Sequence, residues 1–144
     1  MKAKLIIALL LAGLMACDDD SSVSKQNELT DIAKNGTWKI TYFFDSDTDE
    51  TNNFTGYNFT FGASNVLTAT NGTNTYTGTW SITDSNSNDD SIDDLNFNIN
   101  FAAPPDFEDL SDDWDIIEYT TTQIKLIDVS GGGGGTDYLT FQKN

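Results

Sequence analysis

The sequence predicts an all-β domain of eight antiparallel strands behind a short N-terminal helical turn. An up-and-down barrel fits such a chain, and a two-sheet β-sandwich is the alternative. Three observations predict it. Large apolar and polar residues alternate in several separate stretches, the period of a half-buried strand. The breaks between those stretches are rich in Gly, Asn, Asp and Ser. And 3 Trp, 5 Tyr and 9 Phe, many at strand spacing, argue against disorder in a chain this acidic.

The first twenty residues stand apart. Lys2 and Lys4 precede an apolar run from Leu5 to Met15, too short for a membrane-spanning helix, which needs about 20 residues. It fits the apolar region of a secretory signal. Its end, Leu14-Met15-Ala16-Cys17, resembles the lipobox of bacterial lipoproteins. That resemblance implies an acylated Cys17 thiol, cleavage just before it, and a membrane partner held through the lipid. Two or more acyl chains anchor stably where one is marginal. Cys17 is the single cysteine, so no disulfide supports the exported domain. The expected organisation is a signal peptide over 1–16, a lipidated cysteine with a flexible acidic and polar tether over 17–27, and a folded domain over 28–144.

Within the domain, residues 28–34 (ELTDIAK) put Leu29, Ile32 and Ala33 on one side of one or two helical turns ending at Asn35-Gly36. Strand alternation follows in 38–42 (WKITY), 57–61 (YNFTF), 76–82 (YTGTWSI) and 95–101 (LNFNINF). Less regular strands are expected over 66–70, 114–120, 124–129 and 138–142. Asn71-Gly72 marks a hairpin between the third and fourth strands, and Pro104-Pro105 keeps the connection after the fifth out of the sheet. The run Gly131 to Gly135 lacks the Lys and the helix of a phosphate loop and reads as a flexible hairpin connection.

A helical turn followed by Gly36-Thr37-Trp38 on the first strand resembles lipocalins and the wider calycin group, in which this Trp closes the barrel floor. More closely, the chain resembles the small lipocalin-like lipoproteins of Bacteroidota. The likeness rests on the lipobox with its acidic follow-on, on GTWKITY at 36–42, YTGTWSI at 76–82, DDWDIIEYT at 112–120 and GGTDYLTFQKN at 134–144. It implies an outer-membrane lipoprotein, surface-exposed or facing the periplasm, with Asp18, Asp19 and Asp20 as the surface-export signal. Lipocalins commonly place an Arg near the last strand, over the Trp. This chain has no arginine.

Composition excludes much. Beyond residue 16 there are five lysines against 23 acidic residues, a net charge of −18, with no Arg and no His. Neutralising a phosphate backbone is out of reach, so nucleic acid is not an expected partner. The usual general base and commonest zinc ligand are missing. Only carboxylate chemistry remains, and no pair is singled out for it; no catalytic residue is assigned and no enzyme is expected.

Two acidic loops follow a near-repeat, GTWKIT at 36–41 and GTWSIT at 78–83. Alternating acidic and amide oxygens suit calcium, so Asp45, Asp47, Asp49 and Glu50 are candidate metal ligands, although neither loop fits the helix-loop-helix calcium template. No other cofactor is expected. In a meander, loops alternate between ends, so the loop at 45–53 shares a rim with 102–113 and not with 83–92. That rim gathers Asp45, Asp47, Asp49, Glu50, Asp106, Glu108, Asp109, Asp112 and Asp113, which attract cations or a cationic protein partner.

If the Trp38 phase continues, Ile40, Tyr42 and Phe44 point inward with the apolar residues of the other strands. Trp38, Tyr42, Phe59, Tyr76 and Phe97 are then the candidate lining for a small hydrophobic ligand. Their bulk leans toward a filled interior, since an eight-stranded barrel is just wide enough for one or the other. The expected function is a lipid-anchored, non-catalytic envelope protein that binds a small apolar ligand, or else an acidic-rimmed module for Ca²⁺ or a cationic partner.

Overall fold

A computed structural model describes residues 21–86, 88 and 91–144. Helix α1 (Ser21–Lys34) leads into strands β1 (Trp38–Asp45), β2 (Thr48–Asp49), β3 (Asn58–Phe61), β4 (Val66–Thr70) and β5 (Thr75–Asp84). Strand β6 (Leu95–Asn100), the single helical turn α2 (Pro105–Glu108), and strands β7 (Asp112–Tyr119), β8 (Gln123–Val129) and β9 (Thr136–Lys143) follow. Each long strand pairs antiparallel with the next, and the two-residue β2 only extends the hairpin at the end of β1. The last strand returns to the first, from Trp38↔Lys143 to Phe44↔Tyr138. That pairing closes eight strands into a barrel and rules out the sandwich. Inner positions are apolar and outer ones, such as Thr60, Thr79, Asn96, Asn98 and Asp113, are polar. A membrane-spanning barrel has the opposite arrangement, an apolar outer band around a polar interior.

Alternation places the side chains because the period of a strand is 2, and one extra residue reverses everything after it. Such a residue occurs in β1. Ile40 faces Phe141 and Tyr42 faces Thr140, leaving Thr41 as a bulge. Trp38 and Ile40 point inward as expected, but beyond the bulge Phe43 takes the inner side, 1% exposed. Tyr42 is therefore outside the barrel, 40% exposed, contrary to its expected inward position. Phe44 joins it there, stacked on Tyr42 at 6.3 Å.

The floor is closed by α1. Leu29 and Ala33 are fully buried, Gln26 Nε2 donates to Ile82 O (2.7 Å), and Trp38 Nε1 donates to Ala33 O (2.9 Å). The helix begins at Ser21, not Glu28, so residues 21–27 of the expected tether are helical. Gln26 is already bonded to β5 and holds that turn in place. The helix gives way to the strand through Gly36, whose φ of +91° suits glycine. Over the Trp38 ring lies Lys143 Nζ, 5.2 Å from its centroid. This cation on the last strand is favoured there by the ring's quadrupole.

The interior is filled. Phe61 meets Trp80, Phe97 and Phe141 at 5.2–5.3 Å, and Phe59 meets Phe141 at 5.4 Å, spacings typical of favourable edge and offset ring pairs. Gly78 makes room: a Cβ there would lie 2.2 Å from Asn100 O and 2.8 Å from the Phe101 ring. At the mouth two connections send rings inward, Phe54 from the turn Thr51–Phe54 and Phe107 from α2, and these meet at 5.2 Å. The hollows found on the surface, of about 370 and 320 Å³, are lined by β5 and β6 on the outer wall (Thr79, Ser81, Asn98, Asn100) and by the floor (Glu28, Asp31, Lys143).

Candidate functional site

The acidic loops converge at the mouth, the end opposite α1. Asp45 ends β1, Glu50 follows β2, and Asp109 closes the turn α2. Their carboxylates each offer an oxygen within 4.8 Å of the others. The backbone dictates this. Glu50 N donates to Phe43 O (2.9 Å) and Phe43 N to Thr51 Oγ1 (2.9 Å), which folds Glu50 back over the end of β1. On the facing segment, Asp109 N donates to Pro105 O (3.3 Å).

The charges are uncompensated. Glu50 Oε2 is shielded from solvent and has no hydrogen-bond partner. Burial pushes the Glu50 carboxyl above the usual range, and Asp109, Asp45 and Asp106 push it further. Asp109 is raised in the same way, by burial and then by Asp45, Asp106 and Glu108. Asp112 is pushed up to about 6, chiefly by burial, with the Asp128 and Asp113 charges adding to it against a bond from the Asp113 amide. Among the described residues no lysine relieves this set. Lys25 and Lys34 are on α1, Lys39 and Lys143 are at the floor, and Lys125 pairs with Glu118 on the wall.

Leaving a buried anionic oxygen unpaired is costly, and a bound cation removes the cost. Three carboxylates supply up to six oxygens of the kind calcium takes, with water completing the shell. Asp47 and Asp49 lie apart from this cluster. The Asp47 carboxylate accepts the Thr48 hydroxyl (2.8 Å), and Asp49 accepts the Thr51 amide (3.0 Å). Hydrogen bonds from Thr51 hold Asp49 below the usual carboxylate range. Of the four candidate ligands the structure brings Asp45 and Glu50 together and adds Asp109. Asp109 sits on the connection that loop parity assigns to the same rim.

Of the candidate ligand lining, Trp38, Phe59 and Phe97 are fully buried, Phe59 and Phe97 among other rings and Trp38 against α1. Tyr76 stands half-buried at the mouth, stacked on Tyr57 at 5.9 Å. Sequence reasoning missed Phe54 and Phe107, the rings that fill the mouth. Their signal was a lone aromatic in each of two otherwise acidic, turn-rich connections. Cys17 and Asp18 to Asp20 lie outside the described residues.

In overall shape the chain is similar to a DUF4847 family protein from Bacteroides vulgatus ATCC 8482, known from a crystal structure at 1.00 Å resolution. The TM-score is 0.50 at 19% identity, covering 81% of this chain and 97% of that one. At this identity the likeness is one of fold. No family model matches the sequence, and no curated protein matches it.

Proposed function

We propose that the protein is a lipid-anchored, non-catalytic barrel of the cell envelope whose working surface is its acidic mouth, and that the mouth binds a divalent cation of the calcium type. The observation that carries the cation is the trio Asp45, Glu50 and Asp109, with Glu50 Oε2 unpartnered and shielded. The anchor is supported by the lipobox-like Leu14-Met15-Ala16-Cys17. From Cys17 to the start of α1 the chain reaches at most about 14 Å. A lipid on Cys17 therefore turns the α1 floor toward the bilayer and the acidic mouth away from it. Asp18 to Asp20 act as the address that takes the protein to the outer leaflet. The filled interior supports the rim, rather than the barrel axis, as the place where binding occurs.

Thermal melting with and without calcium tests the cation. Extracellular calcium modules bind at about 10⁻⁴–10⁻³ M. At tenfold to a hundredfold excess over such a constant, linkage stabilises the fold by about 1.4–2.7 kcal/mol. The midpoint is expected to rise by several degrees in millimolar calcium and by less in magnesium, which tolerates only compact octahedral sites. No shift at millimolar calcium sinks the proposal.

A further inference from the structure

The bulge in β1 turns two aromatic rings out of the barrel. Without it, alternation from Trp38 and Ile40 would send Tyr42 and Phe44 inward; with it, Phe43 goes in and the rings on either side of it lie on the outer wall. Re-aiming side chains is a common use of a bulge. Tyr42 is 40% exposed. Its ring lies 6.3 Å from Phe44, the two within 14° of parallel, and 6.4 Å from Tyr138. Val129, on the same face toward the mouth, is exposed as well.

Strand pairing fixes what surrounds these rings. Residues directly opposite on neighbouring strands share a face, their Cβ atoms about 5 Å apart. Phe44 is opposite Asp49 on one side and Tyr138 on the other, Tyr138 is opposite Ile127, and Ile127 is opposite Asp115. One rank on the outer wall thus runs Asp49, Phe44, Tyr138, Ile127, Asp115, an apolar bed with a carboxylate at each end. Both carboxylates are held in place, Asp49 by the Thr51 amide (3.0 Å) and Asp115 by the Asn96 side-chain amide (3.1 Å). Toward the floor the next rank is Tyr42, Thr140, Lys125 and Glu118. Its cation is already paired, Lys125 with Glu118.

We propose that this rank is a docking surface for an extended, cationic protein segment laid across the strands. Apolar side chains of the segment rest on Phe44, Tyr138 and Ile127, and a Lys or Arg at each end meets Asp49 and Asp115. The chemistry of the surface selects this occupant. Tyrosine is favoured in protein interfaces and draws cations to its ring face, and the flanking carboxylates offer Arg a bidentate partner. Opposite charges across such a contact set its register and speed its formation. A second copy of this acidic chain would bring carboxylates onto carboxylates, and an anionic bilayer would be repelled in the same way. Four strand intervals of about 4.8 Å put the two carboxylates roughly 19 Å apart along the wall. An extended segment at about 3.3 Å per residue spans that distance with cations six residues apart. The contact is independent of the cation at the mouth, since Asp45, Glu50 and Asp109 take no part in it.

The test is an NMR titration of the ¹⁵N-labelled mature chain, in chelator at low salt, with the peptide acetyl-RSLSLSR-amide as the probe. Its Arg and Leu side chains fall on one face of an extended strand. Saturable shifts are expected at Phe44, Tyr138 and Ile127, with affinity at least about tenfold above that for acetyl-ESLSLSE-amide. Tyr138→Ser is expected to lower that affinity at least about fivefold, and Thr77→Ala, on the far wall, to leave it unchanged. Equal affinity for the two peptides, shifts confined to the mouth loops, or no binding by the wild type overturns the proposal.

Should Tyr138→Ser fail to fold, the double variant Asp49→Asn, Asp115→Asn decides, because both side chains are exposed and leave the core alone. It is expected to lose the preference for the cationic peptide, and a preference retained in full overturns the proposal. Two further results would do the same by assigning the patch elsewhere. A wild type that sediments as a dimer beside a monomeric Tyr138→Ser gives it to a second copy, and binding to phosphatidylcholine vesicles gives it to lipid.

Discussion

Glu50→Gln removes one charge from the mouth and keeps the shape of the side chain. Glu50 faces Asp45 and Asp109, with all three carboxylates offering an oxygen within 4.8 Å of the others. Two unit charges that far apart repel by about 1 kcal/mol at the dielectric constant of water. Asp109 is exposed, which keeps its contact near or below that limit. Two such contacts, less the cost of the amide's own partly buried position, leave a net stabilisation of about 1 kcal/mol in chelator. For a domain of this size that raises the melting midpoint by about 4 °C. In calcium the sign reverses, because the variant has lost a ligand while the wild type gains the full linkage energy. Melting followed by circular dichroism at pH 7.5, in chelator and in millimolar calcium, reads both effects. A variant that melts below the wild type in chelator, or that gains as much from calcium, refutes the reasoning.

Gly78→Ala is expected to destabilise the barrel by about 1–3 kcal/mol or more, as overpacking does, since its Cβ would lie 2.2 Å from Asn100 O; urea unfolding measures this, and a change under about 0.5 kcal/mol contradicts the packing described. Stability in chelator should fall as pH rises from about 4 through 6, since Asp112 binds its proton more tightly in the folded state, with a pKa of about 6 against 3.8. Glu50 and Asp109 are shifted in the same direction. Asp112→Asn should flatten that decline, and a wild-type midpoint that is highest at pH 7.5 would contradict the assignment. Cys17→Ser should abolish incorporation of labelled fatty acid and release the protein from the envelope fraction; retained label in the variant removes the anchor.

The strands were readable in the sequence because a half-buried wall imposes a period of 2, and segments such as LNFNINF show it without interruption. The bulge at Thr41 was not readable. Past Ile40 the chain runs Tyr42-Phe43-Phe44, so apolar residues occupy both phases and composition cannot say which faces inward. The same ambiguity put Tyr42 in the expected lining. The helix start was misplaced for a related reason: SSVSKQN has weak helical pattern, and it is the Gln26 bond to Ile82, a contact between distant parts of the chain, that holds the early turn. The shared rim was legible from loop parity alone, before any distance was known. Which carboxylates meet within it was not, because that depends on how Thr51 folds Glu50 back and how α2 presents Asp109.

The proposed cation sits between the two mouth loops. Calcium titration of the ¹⁵N-labelled mature chain, followed residue by residue by NMR, locates it directly. Saturable shifts at Asp45, Glu50, Thr51 and Asp109, with the floor loop after β5 unchanged, are the predicted result. Shifts confined to the floor loop, or none at millimolar calcium, would contradict it.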